Sequence, residues 1–327
     1  MHPCVRSLPL LILATFMAAV LADEALPLPP GATASAIIRH DGSDRLALVH
    51  APAGAAAQRL PLVLALHGGS GDAVGTEQFT AFSAIADRER FIVAYPQGTA
   101  LPDRRGFFWN DDRLTGTAGG TAADDVGFVR ELIDRLVAQG AVDPGRVFVT
   151  GISNGAMMSF RIARELPDRV AAIAAVAGHL PLATPVAPVP GPPVAVAVIS
   201  GTEDSFMPFA GGEITAFGIP QRPSLGFVRS AEDTVARWVA ADRAGPIPAV
   251  ERGYGVSRWD GCTVTSFRYA AQPGGADVWF VRIDGGGHTW PGSDSASMRL
   301  LGRACRDIDA SDEIWRFFAA HGRARPG

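Results

Sequence analysis

The sequence contains no lysine; the 29 Lys-plus-Arg positions are all arginine. It also has no block of basic residues, and its formal net charge is −4. A basic face is what holds phosphate backbones and anionic headgroups, so nucleic acid and an acidic membrane surface are excluded as obvious partners. Set beside 37 glycines and abundant alanine, the arginine usage reads as coding bias rather than arginine-based recognition. Cysteine is scarce, at three residues, and no internal repeat is visible. What is present describes a globular chain with a sizeable core: 47% hydrophobic and 19% charged residues over 327 positions, enough for one large α/β domain or two ordinary ones.

The N-terminus reads as an export signal. Arg6 precedes the apolar run LPLLILATFMAAVLA at 8–22, small residues stand at Val20 and Ala22, and the acidic pair Asp23-Glu24 follows. The run is short for a membrane span, which needs ~20 residues. With no cysteine at the cleavage point, lipid anchoring there is not expected. The expected organisation is a signal peptide over 1–22, an extended leader over 23–34 and one catalytic domain over 35–322. The mature chain is then secreted or periplasmic, with no membrane contact after cleavage. Cys4 leaves with the signal, and an oxidising compartment favours a disulfide between Cys262 and Cys305 over two separate buried thiols.

Short β-type runs fall at 36–40, 45–50, 60–67, 91–96, 147–150, 171–177, 194–200 and 278–283, several of them apolar on consecutive positions. That pattern suits strands buried on both faces of a parallel sheet. Helix-like segments at 77–89, 124–139, 153–166, 231–242 and 311–320 alternate with them, so the expected class is α/β, a mostly parallel sheet with helices on both faces. The opening strands, joined by short turns, are expected to be antiparallel. Residues 181–193 resemble a linker, but the strand after them belongs to the same sheet. Two long irregular stretches, 97–123 and 205–229, follow strands and so belong at the carboxyl edge, where open α/β sheets place ligands. Their aromatic residues Phe107, Phe108, Trp109, Phe206, Phe209 and Phe217 either line a substrate groove or pin the loops to the body.

Gly151-Ile-Ser153-Asn-Gly155 matches the Gly-x-Ser-x-Gly turn, in which glycines permit a tight strand-to-helix reversal that lifts the serine hydroxyl above the sheet. With so many glycines the motif alone is weak, but an apolar run precedes it and a helical pattern follows. A serine nucleophile needs a general base, and the base needs an orienting carboxylate. On this fold the chain order is Ser, acid, His. Of the three later histidines, His179 comes too early and His321 lies in the C-terminal tail. His288, in the Gly-rich loop DGGGHTWPG after the strand VWFVRI, is the base. Asp204, in the loop after VAVAVIS, is the acid, with Glu203 its main rival and Asp260 further behind. The oxyanion is expected to bind the N–H of Asn154 and a second N–H, from Gly69 or Ser70, in HGGSGD at 67–72. That loop lacks the Gly-Lys-Ser/Thr ending of a nucleotide cradle, which removes a nucleotide reading.

Taken together, LHGGSGD, Trp109-Asn110, DDVGF (124–128), VTGISNGAMMSFRIA, SGTEDSFMPFAGG, TVARW (234–238), GGGHTWPG and DIDASDEIWRFF resemble the secreted esterase family containing polyhydroxybutyrate depolymerases and the related feruloyl esterases. The similarity spans most of residues 60–320. It implies an α/β-hydrolase fold with Ser153, Asp204 and His288 as the triad, and Trp290 bordering the substrate beside Trp109. Three departures stand out. Ser200 replaces a more usual histidine at the start of the acid motif, Met207-Pro208-Phe209 replaces Val-Pro-Tyr, and Ala244-Gly245 stand where the family often has cysteine. The family's disulfide pattern therefore does not transfer directly.

The expected activity is hydrolysis of carboxylic esters through an acyl-enzyme, with no metal or organic cofactor. The favoured substrate is a polyester or its oligomers. Feruloyl or acetyl esters on plant polysaccharide and poly(aspartic acid) are the alternatives, and an acyltransferase or a non-catalytic binding protein are rivals of another class. The acidic net charge gives no support for a polyanionic substrate, against which stands a local cluster of Arg104, Arg105 and Arg113. Nothing in the sequence sets the oligomeric state.

Overall fold

Runs of leucine, valine and alanine with no polar face can form strands only where both sides are covered. In the computed structural model, which describes residues 25–55, 58–102, 105–113, 122–184, 191–221, 224–252 and 260–323, those runs make one ten-stranded sheet. Its strands are β1 (Ala32–His40), β2 (Ser43–Ala51), β3 (Leu60–Leu66), β4 (Ile92–Pro96), β5 (Val142–Ile152), β6 (Ala172–Val176), β7 (Ala195–Gly201), β8 (Ala249–Arg252), β9 (Thr263–Tyr269) and β10 (Val278–Asp284). The spatial order is β1-β2-β4-β3-β5-β6-β7-β10-β9-β8. The six strands from β4 to β10 are parallel, while β1 and β2 at one edge and β9 and β8 at the other are antiparallel.

Seven helices occupy the described residues: α1 (Ala73–Thr80), α2 (Phe82–Glu89), α3 (Asp125–Ala138), α4 (Asn154–Glu165), α5 (Ala231–Ala241), α6 (Ala296–Leu300) and α7 (Ala310–Ala320). Strand β3 shows how they divide. Leu62, Leu64 and Leu66 point to one face, onto a core with Phe128 of α3, Phe160 of α4 and Trp238 of α5. Val63 and Ala65 point to the other, with Phe82 of α2 and Phe317 and Phe318 of α7. Each fully buried large side chain is worth roughly 1.5–3 kcal/mol. Helix starts are fixed by acid or hydroxyl caps: Asp124, Ser230 and Asp309 accept the N–H groups of Gly127, Asp233 and Asp312.

The expected class and the antiparallel opening pair are found. The differences have local causes. The extended leader ends sooner than expected: β1 begins at Ala32, and buried Leu26 exchanges two hydrogen bonds with the Gln139 side chain. Strand β5 begins at Val142 because its pairing with β3 shifts register past Pro144-Gly145, which reads in sequence as a turn. The single helix expected over 77–89 is two, broken where Ala81 adopts φ 53°. The antiparallel pair β9 and β8, with β8 at the edge, has no counterpart in the sequence reading; every residue of β8 is exposed, so no apolar pattern marks it. The proposed signal peptide at 1–22 and Arg104 lie outside the described residues. No helix among the described residues is long and apolar enough to cross a membrane.

Chain order reverses between β3 and its neighbours β4 and β5, so the loops leaving β3 and β5 face one crevice at the carboxyl edge.

Candidate active site

The turn from β5 into α4 leaves no room for side chains on its glycines. A Cβ on Gly155 would meet the carbonyl oxygens of His67 and Leu66 at 2.5 and 2.6 Å, and one on Gly151 would meet Gly155 itself at 2.6 Å. Between them Ser153 is held at φ 57° and ψ −118°, outside the regions an L-residue prefers. Its N–H donates to Val176 O at 2.9 Å, while its hydroxyl takes no hydrogen-bond partner among the described residues. The hydroxyl faces a cavity of about 660 Å³ at the start of α4, where the helix presents unpaired N–H groups.

Asn154 is the pivot of this side. Its side-chain oxygen accepts the N–H of Trp109 at 2.8 Å, and its amide nitrogen donates to Trp109 O at 3.1 Å and Asp111 Oδ2 at 2.6 Å. Opposite it runs the loop after β3. His67 Nδ1 donates to Gly68 O at 2.7 Å and Nε2 accepts the N–H of Gly98 at 2.9 Å, which fixes a neutral ring with its proton on Nδ1. Burial holds the pKa of His67 down to about 4. Of the two expected oxyanion residues here, Ser70 has its N–H committed to Phe107 O at 3.0 Å. The N–H groups of Gly69 and Asn154 take no acceptor among the described residues. A Cβ on Gly69 would touch the Phe108 ring at 3.3 Å and Asn154 Cβ at 3.7 Å, so the two amides belong to one corner of the cavity.

The acid and the histidine come from the loops after β7 and β10. Asp204 Oδ2 accepts from His288 Nδ1 at 2.7 Å, and Asp204 Oδ1 accepts the N–H groups of Phe206 at 2.8 Å and Met207 at 2.7 Å. Both side chains are buried, at 2% and 5% exposure, which strengthens the pair. The two loops are tied together: Glu203 N donates to Gly286 O and Gly285 N to Thr202 Oγ1. The rival acids fall elsewhere. Glu203 is exposed beside Arg303, and Asp260 accepts the backbone N–H groups of Cys262 and Arg306. Behind the acid, His179 is buried against Ser200 Oγ at 3.0 Å, and burial holds its pKa down to about 4.

Two expected substrate residues are corrected. Trp109 is buried, with its indole N–H on His67 O at 3.0 Å, and packs behind the corner where Gly69 and Asn154 meet. Trp290 is buried too, its indole N–H on Ser311 Oγ, packed edge-on behind Phe79 at 5.6 Å. Neither lines the cavity. The two tryptophans are large and apolar enough to be drawn into the core, and their single N–H groups find partners there. Phe108, Phe206 and Phe217 line it instead, with Phe206 stacked on the His288 ring at 4.9 Å. Phe209 packs on Phe280 and is a pin. Met298, Leu300 and Leu301 from the segment of α6 complete the apolar wall and carry no motif by which sequence reasoning could find them.

Arg105 is exposed, whereas Arg113 lines the cavity. Cys262 and Cys305 are free thiols in this structure, so the expected bond is not formed in it, although the sulfur atoms lie within 4.8 Å of one another.

Residues 46–182 match the family model described as esterase PHB depolymerase. The chain is 33% identical over 279 residues to the protein named "Putative esterase NocK" of Nocardia uniformis subsp. tsuyamanensis, covering 82% of this chain and 77% of that one. It is 34% identical over 130 residues to poly(3-hydroxyalkanoate) depolymerase C of Paucimonas lemoignei, where the match covers 39% of this chain and 30% of the depolymerase. In structure it resembles the acetyl xylan esterase from Aspergillus awamori, with a TM-score of 0.58 and 16% identity over 88% of this chain and 99% of that one, a likeness of fold. The chain belongs to the polyhydroxybutyrate depolymerase family of esterases, carboxylic-ester hydrolases built on the α/β-hydrolase fold.

Proposed function

We propose that this chain is an exported serine esterase in which Ser153, His288 and Asp204 form the catalytic triad. The observation that carries the reading is the buried 2.7 Å pair of His288 and Asp204 on the same cavity as a serine held at φ 57°. Asp204 holds the Nδ1 proton of His288, leaving Nε2 as the base. Nε2 takes the proton of Ser153 as its oxygen attacks the ester carbonyl; the Ser–His contact tightens on substrate binding. The negative charge that develops on the carbonyl oxygen is met by the N–H groups of Asn154 and Gly69. Collapse of the tetrahedral adduct breaks the ester C–O bond, and the imidazolium returns its proton to the leaving alkoxide. Water then attacks the acyl-serine by the same route, releasing the acid.

For the substrate we propose short oligoesters of hydroxyalkanoic acids, which suit apolar walls of phenylalanine, leucine and isoleucine. The apolar run at 8–22 supports export, and export together with the closeness of the sulfurs supports a disulfide between Cys262 and Cys305. Ser153→Ala is expected to lower kcat on p-nitrophenyl butyrate by at least about 10⁴-fold with an unchanged thermal unfolding curve. Retention of wild-type turnover in that variant would remove the triad.

A further inference from the structure

The walls around Ser153 and His288 are largely apolar, yet among the described residues one permanent cation is built into them. Arg113 lines the cavity with its side chain only 9% exposed. Its Nη2 reaches Asp111 Oδ2 at 3.4 Å, a long contact, and that oxygen already accepts from Asn154 Nδ2 at 2.6 Å. The other oxygen of Asp111 accepts the backbone N–H of Arg113 at 3.0 Å. Arg113 Nε is buried with no hydrogen-bond partner among the described residues. A guanidinium carries five donors and does not give up its charge, so one long, shared carboxylate contact among the described residues leaves it under-compensated. Asp72, the other lining residue of fixed charge among the described residues, is occupied as the cap of α1, accepting the N–H of Gly75 at 2.7 Å.

An under-compensated guanidinium in an apolar cavity matches one planar anion. We propose that Arg113 binds a free carboxylate on the substrate, so that esters with an anionic end are preferred over neutral ones. This rests on the esterase reading of the same site. Every cut in an oligomer of a hydroxy acid leaves a shorter chain ending in a carboxylate, so that group is the one charged feature all such substrates share. Arg113 is therefore a specificity determinant selecting acid-terminated oligomers over esters without charge.

The test compares the 3-hydroxybutyrate dimer as its free acid, the same dimer as its methyl ester, and p-nitrophenyl butyrate, in wild type, Arg113→Gln and Arg113→Lys. Wild type is expected to favour the free acid over the methyl ester by roughly 10- to 100-fold in kcat/KM, carried by KM. Arg113→Gln is expected to lose at least 10-fold more on the free acid than on either neutral ester, and Arg113→Lys to recover part of that difference. Equal losses on all three esters, or no preference for the free acid in wild type, would overturn the proposal. Those results leave the triad untouched, because it stands or falls on Ser153→Ala with the neutral ester.

Discussion

The two walls of the cavity are built by different means. On the nucleophile side, the turn at Ser153, the loop after β3 and the 107–111 segment are locked by hydrogen bonds: Asn154 makes three, and His67 uses both ring nitrogens. On the acid side, the Asp204–His288 pair is as tightly bonded, but its surroundings are apolar: Phe206 over the imidazole, Phe217 edge-on to Phe206 at 4.7 Å, and Met298 and Leu301 from around α6. In the proposed mechanism the first wall holds amides to a fraction of an ångström where charge develops, and directional bonds do that. In the same mechanism the second keeps water from the buried, hydrogen-bonded Asp204–His288 pair and fits an acyl chain, for which shape and apolar area suffice.

The largest effect should come from the one strong hydrogen bond that acts across the second wall. Asp204→Asn keeps the shape but favours the wrong imidazole tautomer, so kcat is expected to fall by about 10³- to 10⁴-fold at unchanged stability, measured with p-nitrophenyl butyrate. A fall of less than tenfold would mean that His288 is oriented by its packing alone.

A second test fastens that wall covalently. Cys262 precedes β9, and Cys305 O accepts the N–H of Gly292 just beyond His288. An oxidised pair closing a loop of about 40 residues is expected to add roughly 4 kcal/mol of stability by chain entropy. Denaturant midpoints before and after reduction measure it. Equal midpoints, with two titratable thiols in the untreated chain, would exclude the bond.

The third effect is smaller and depends on pH. Burial lowers the pKa values of His67, on the first wall, and His179, behind the second, from 6.5 to about 4. The folded protein therefore keeps both neutral while the unfolded chain protonates them. Their contribution is complete above pH 6.5 and is lost progressively down to about pH 4, on the order of 3 kcal/mol for each. His67→Gln should flatten the stability profile in that window. A profile parallel to wild type would show that His67 is not held neutral.

The same contrast explains what the sequence revealed. Gly151, Ser153 and Gly155 are legible because their spacing is imposed by backbone contact, and Asp204 and His288 because each follows an apolar strand that fixes its loop at the carboxyl edge. The choice between Gly69 and Ser70 was not legible, since it depends on the bond from Ser70 N to Phe107 O, thirty-seven positions away in the chain. Trp109 and Trp290 were misplaced because a tryptophan beside a motif looks the same whether its ring faces the cavity or the core. The apolar wall near α6 was invisible for the same reason: Met298 and Leu300 touch the site through tertiary packing, without local pattern. The central sheet was readable from doubly apolar strands, whereas the exposed β8 has nothing to mark it.

The most direct test of the account is the identity of the residue that becomes acylated. Reaction of the purified chain with a fluorophosphonate, followed by intact and peptide mass spectrometry, should give one adduct per chain on Ser153, absent from Ser153→Ala and formed far more slowly in Asp204→Asn. An adduct on another residue, or an unmodified Ser153 in a folded chain, would contradict it.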